Sequence, residues 1–185
     1  MKKNPCRILI SITVTLSMFL FIYASISHET VIDNTLSLTL PAAVYTSSTQ
    51  DLTFEYPDIF KAYTEQYSGE DILYHVNLLT NTPEIHGYVE VWNLNEPLSV
   101  FLEKAKASFS PSIRNFKESF PSNNINLREW SYDVDSDSGE IHGRQHFSAK
   151  DNKLIVTALF APTNVWSSKY DSMFEEIKSS AKLLN

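Results

Sequence analysis

Residues 125–161, INLREWSYDVDSDSGEIHGRQHFSAKDNKLIVTALFA, decide the fold. They read as three strands, at about 125–134, 140–149 and 153–161. Asp135, Ser136, Asp137, Ser138 and Gly139 separate the first two, a hairpin loop by composition. A second hairpin turns at Lys150 to Lys153, and Leu154 to Phe160 is apolar at successive positions, as a strand covered on both faces must be. Downstream, Trp166, Tyr170, Met173, Phe174, Ile177, Ala181 and Leu184 recur at helical spacing, which predicts a closing helix lying across the sheet.

Working upstream, Leu52, Phe54 and Tyr56 alternate with polar residues and stop at Pro57, the pattern of a half-buried strand. Tyr63–Tyr67 and Ile72–Leu79 follow as strands. Residues 85–94, with Tyr88, Val89, Val91, Trp92 and Leu94, form an interior strand. Pro97 starts a helix with Leu98, Phe101, Leu102 and Ala105 on one stripe. Ser110 and Pro111 open a short turn or second helix bearing Ile113, Phe116 and Phe120 and ended by Pro121. Strands, helix, antiparallel strands and a final helix make an α+β fold, helices packed on a mostly antiparallel sheet.

The first 27 residues differ from the rest. Ile8 to Ser27 is a run of 20 residues without a charge, and as a helix at ~1.5 Å per residue it spans roughly 30 Å, the hydrocarbon core of a bilayer. Lys2, Lys3 and Arg7 precede it and His28, Glu29 and Asp33 follow, so the expectation is one transmembrane helix with a cytoplasmic amino terminus and an extracytoplasmic domain. The alternative is a signal peptide cut at His28, with the small residues Ser25 and Ser27 before the cut, and secretion of the remainder. The organisation expected is 1–27 membrane anchor or signal peptide, 28–43 tether, and 44–185 one folded domain, with Leu36, Leu38 and Leu40 a possible edge strand inside the tether.

The formal charge of −7 becomes −10 for residues 28–185 once the three leading cations are set aside. That sign opposes nucleic acid as a partner, since phosphate contacts need clustered Lys and Arg. Cys6 is the single cysteine, so no internal disulfide forms. No Gly-x-Ser-x-Gly elbow marks a hydrolase, and the four glycines, at 69, 87, 139 and 143, make no phosphate loop. These absences give no catalytic residues and no cofactor, and the expectation is a protein that is not an enzyme.

Three constellations remain. His142, Arg144 and His146 alternate along one strand and share a face, with Ile141 and Phe147 pointing the other way. The two imidazoles lie about 13 Å apart at ~3.3 Å per residue, too far to chelate one ion alone, so zinc or manganese binding needs His75 or His86 from neighbouring strands. Asp133, Asp135, Asp137, Gly139 and Glu140 partly match a calcium loop, but the glycine comes one residue late and Arg144 stands where the bidentate Glu belongs. The bland reading is a solvated acidic hairpin. Trp130, Tyr132 and Trp166 would form a partner-binding patch beside that hairpin if they are surface residues rather than core.

The Phe54-Glu55-Tyr56-Pro57 start, the order of elements and the closing Phe174-x-x-Ile177-x-x-Ser180 helix resemble the PsbP/Mog1/DcrB-like superfamily over about residues 44–184. The usual Trp a few residues after the early Pro is replaced by Phe60. The resemblance is to a PsbP-related, membrane-anchored bacterial protein. It implies an α/β/α sandwich whose relatives are mostly non-enzymatic, namely photosystem assembly and stability factors, a small-GTPase regulator and bacterial lipoproteins, with no shared catalytic set. The expected function is a membrane-anchored extracytoplasmic binding or assembly domain without catalytic activity. The alternatives are a zinc- or manganese-binding accessory protein, or a hydrolase with no recognisable motif.

Overall fold

A computed structural model describes residues 41–66, 71–109, 112–121 and 124–184. The expected membrane span, its cleavage site, the tether up to residue 40 and Cys6 lie outside the described residues. In chain order the elements are β1 (Ala42–Thr46), β2 (Leu52–Pro57), β3 (Lys61–Glu65), β4 (Ile72–Leu79), β5 (His86–Asn93), α1 (Leu98–Ala107), β6 (Ile113–Ser119), β7 (Leu127–Ser136), β8 (Gly139–Lys150), β9 (Lys153–Pro162), α2 (Ser168–Ser180) and β10 (Lys182–Leu183). None of the described helices is long and apolar enough to cross a membrane.

The stretch 127–162 is a meander of three long strands, as its sequence predicts. Both connections are two-residue turns. Asp137 and Ser138 link β7 to β8, and Gly139 follows at φ +123°, a region that L side chains rarely adopt. Asp151 and Asn152 link β8 to β9 with both residues in the left-handed region, at φ 51° and 59°. Asp and Asn tolerate that conformation, and such mirror-image turns match the twist of the strands they join.

The seven-stranded antiparallel sheet runs β3-β4-β5-β9-β8-β7-β6, so β5 and β9, the two strands with apolar residues on both faces, are interior. Alternation divides the side chains into two cores. On one face Tyr88, Trp92, Trp130, Tyr132, Phe147, Val156 and Phe160 pack under Leu98 and Leu102 of α1. On the other, Val76, Leu78, Val89, Val91 and Leu159 meet Met173, Phe174 and Ile177 of α2 and Leu52 and Phe54 of β2. The fold is thus α+β with one helix on each face of the sheet. A small sheet, β1-β2-β10, shares the second face with α2. Burying each of these large side chains contributes about 1.5–3 kcal/mol before entropic costs.

The two motifs that carried the resemblance touch each other. Phe54 belongs to the same cluster as Phe174 and Ile177, and the Glu55 amide donates to Ser180 Oγ at 2.8 Å across 125 positions of chain. Phe60, in place of the usual Trp, is buried in that cluster.

Two local expectations need correcting. Residues 113–119 form strand β6 on the sheet edge rather than a turn or helix, because they pair with β7. A bulge between Arg114 and Lys117, with Asn115 at φ 51°, breaks the alternation that would have signalled a strand. The closing helix is shorter than its apolar spacing implied. Trp166 precedes it, and past Ser180 the chain turns extended so that Lys182 and Leu183 pair with β2.

Candidate functional site

Helix α2 packs chiefly on β2 and β9. Strands β7 and β8 therefore carry polar side chains beyond its flank. Their register sets three cross-strand couples on this face: Glu129 opposite His146, Ser131 opposite Arg144, and Asp133 opposite His142. The shared face expected for His142, Arg144 and His146 is present, and acids from β7 and α2 answer it.

At one end, His142 Nδ1 lies 2.6 Å from Asp133 Oδ1, and Ser131 Oγ is 3.3 Å from His142 Nε2. Asn115, from the β6 bulge, donates to the other oxygen of Asp133 at 2.6 Å. Burial works against the Asp133 charge, but the bonds from Asn115 and His142 outweigh it and hold the carboxyl below its ordinary range. Trp166 meets the His142 ring edge-on, with centroids 4.4 Å apart.

At the other end Glu129 is the hub. Its Oε1 accepts from Lys178 Nζ at 2.8 Å and lies 3.4 Å from His146 Nδ1, outside hydrogen-bond geometry, while Oε2 takes Arg144 at 3.3 Å. The neighbouring His146 ring, then Lys178 and Arg144, bring Glu129 down to about 2 against the opposing effect of burial. Arg144 continues to Asp171 at 2.9 Å and Glu175 at 3.1 Å on α2, its guanidinium over the Phe174 ring. Asp171 and Glu175 are 47% and 48% exposed, so this network ends in carboxylates that solvent and partners can reach.

The four histidines are not brought together. His142 and His146 face α2, whereas His75 and His86 lie on the α1 side, where they stack on Tyr88 and Phe160. The sheet stands between the two pairs. Among the described residues no group of three His, Cys, Asp or Glu side chains is placed to hold a metal ion. His86 is driven to about 4 by burial and is neutral at pH 7. His75 has a carboxylate on one ring nitrogen, Glu90 at 2.6 Å, and the amide oxygen of Asn77 on the other at 2.9 Å. The Asn77 amide is oriented by its donation to Glu65 at 2.9 Å, and Trp92 donates to the second Glu90 oxygen at 3.0 Å. Both ring nitrogens of His75 must then donate. Burial opposes that charge, and Glu90 overcomes it and raises the pKa.

The aromatic patch needs a correction. Trp130 and Tyr132 are 3% and 5% exposed in the core under α1, and Trp166 lies across the sheet against α2. Trp130 and Tyr132 occupy alternate positions of one strand and share the face opposite to Ser131 and Asp133, so they cannot meet Trp166. The acidic hairpin also resolves into pairs. Asp133 binds His142 and Asn115, and Arg114 binds Asp135 and Glu140. These carboxylates do not converge on one point.

Sequence reading missed Ser131, Glu129, Asn115 and Asp171 as members of the site. The polar residues at 129, 131 and 133, alternating with Trp130 and Tyr132, were the available signal. Pairing them with 142, 144 and 146 required the register.

No family model matches the chain, and no curated protein matches it. Among solved structures it is similar to the solution structure of cyanobacterial PsbP (CyanoP) from Synechocystis sp. PCC 6803, with a TM-score of 0.52 and 11% identity, covering 82% of this chain and 98% of that one. At that identity the likeness shows the fold, and the fold of the described residues is PsbP-like.

Proposed function

We propose that the chain is a membrane-anchored extracytoplasmic domain that acts by binding a protein or small ligand at the polar flank of α2. The uncharged run 8–27, with cations before it and acids after it, supports the anchoring and its direction. The observation that carries the binding reading is the network from β7 and β8 to α2. It fixes Arg144, Lys178 and Glu129 in place and turns the carboxylates of Asp171 and Glu175 to solvent. Charges held in position before contact lower the ordering cost of recognition and set partner orientation. The opposite face, under α1, is closed by aromatic core. The PsbP-like fold is consistent with a binding or assembly role.

The test places a photo-crosslinking residue, p-benzoylphenylalanine, at position 171 or at Val100, which is exposed on α1. In intact cells the account expects a discrete adduct from position 171 and none from 100. Equal adducts from both, or none from 171, contradict it.

A further inference from the structure

Ser131, His142 and Asp133 lie in hydrogen-bonded sequence, 3.3 Å and then 2.6 Å, with Asp133 on Nδ1 and the serine hydroxyl on Nε2. That is the order in which a serine is activated in acyl transfer. A carboxylate on Nδ1 leaves Nε2 of a neutral imidazole as the acceptor for the hydroxyl proton. We propose that Ser131 is an activated nucleophile toward small carboxylic esters, with His142 its general base and Asp133 the residue that positions His142.

Three further features support the assignment. Asn115 clamps the second oxygen of Asp133 from a bulge where its backbone takes φ 51°, a left-handed conformation that asparagine tolerates and that aims its amide at the carboxylate. Arg144 is the cross-strand neighbour of Ser131 on the same face, and three of its five N–H donors are engaged by Asp171, Glu129 and Glu175 among the described residues. Arg144 in β8 and Lys117 in β6 are the cationic cross-strand neighbours of Ser131 on its two sides, and their charge favours an oxyanion forming there. The Trp166 ring beside His142 offers an apolar wall for the acyl chain. The carboxylate sits two residues from the serine on one strand and the histidine on the next, so no contiguous motif announces the set.

In the step, Ser131 Oγ bonds to the ester carbonyl carbon, the ester C–O bond breaks, and the hydroxyl proton passes through His142 Nε2 to the departing alkoxide. Water then attacks the acyl carbon, gives its proton to Nε2 and releases the carboxylic acid as the proton returns to Ser131. This activity is separate from the recognition reading, and either can fail while the other stands.

The full chain is incubated with an alkyl fluorophosphonate, which bonds phosphorus to an activated serine oxygen and releases fluoride, and adducts are read by intact mass and peptide mapping. A single adduct at Ser131 is expected, absent in Ser131→Ala and formed at least tenfold more slowly in His142→Gln, both variants melting as the parent does. Asp133→Asn slows labelling and shifts its pH profile, which a role confined to holding the bulge would leave in place. No adduct, an adduct at another serine, or labelling of His142→Gln at the parent rate overturns the proposal.

Discussion

Replacing Glu129 by Gln keeps the shape of the side chain and removes the charge that Lys178, Arg144 and His146 surround. The carboxyl stands at about 2 instead of 4.5. At about 1.4 kcal/mol per pKa unit the shift corresponds to roughly 3.5 kcal/mol as an upper bound. Solvent screening at the open side of the network reduces this to about 1–2 kcal/mol. For a domain of this size that is a fall in Tm of roughly 2–8 °C. Because the folded pKa is depressed, the contribution is fully present above the unfolded value of 4.5 and is lost as pH falls through about 2. Urea unfolding of parent and Glu129→Gln at pH 7 and at several points down to pH 2 reads the difference directly. The gap closes with acid. A gap under 0.5 kcal/mol at pH 7, or one that does not change with pH, would refute the electrostatic account of the hub.

His75 has the opposite sign. Its folded pKa is raised above 6.5, so the stability it contributes over His75→Gln is complete below that value and is lost as pH rises through the folded one, and a gap that widened on the alkaline side would contradict the buried imidazolium. Gly87→Ala brings a methyl group to 2.4 Å from the Ala158 carbonyl oxygen, a backbone atom of the paired strand β9, and should cost about 1–3 kcal/mol or more; a neutral thermal shift would show that the strands separate more readily than described. Trp130→Ala removes a core ring that packs on Phe147 and Phe116 and should destabilise by roughly 3–5 kcal/mol in chemical unfolding, with the folded fraction still crosslinking from position 171. A loss of crosslinking without a loss of stability would return Trp130 to the surface.

The parts of the fold visible in sequence were those fixed by local alternation and turn chemistry. Leu154–Phe160 declared itself interior, and Asp151-Asn152 and Asp137-Ser138-Gly139 punctuated the meander. Strand β6 was hidden because the bulge at Asn115 shifts its pattern by a residue, and β10 because two residues completing a small sheet carry no periodicity of their own. The same limit applied to the site. One strand's sequence shows which side chains share a face, so His142, Arg144 and His146 were legible as a row. It does not show what stands opposite, so Ser131, Glu129 and Asp133 were not assigned to them. Nor does it separate exposed aromatics from buried ones when both lie on alternating strands, which is why Trp130 and Tyr132 read as surface candidates. The acid count of the hairpin suggested a cation loop because composition does not record that Arg114, brought by β6, stands between Asp135 and Glu140.

The central claim is that one face of this sheet is closed core and that the flank of α2 on the other meets a partner. Carboxyl footprinting in intact cells tests it most directly, by comparing carbodiimide labelling of Asp171 and Glu175 with that of Glu103, which is 72% exposed on α1. Relative to the purified chain, Asp171 and Glu175 should lose reactivity in cells while Glu103 keeps its own. Equal labelling of all three in both settings would contradict the account.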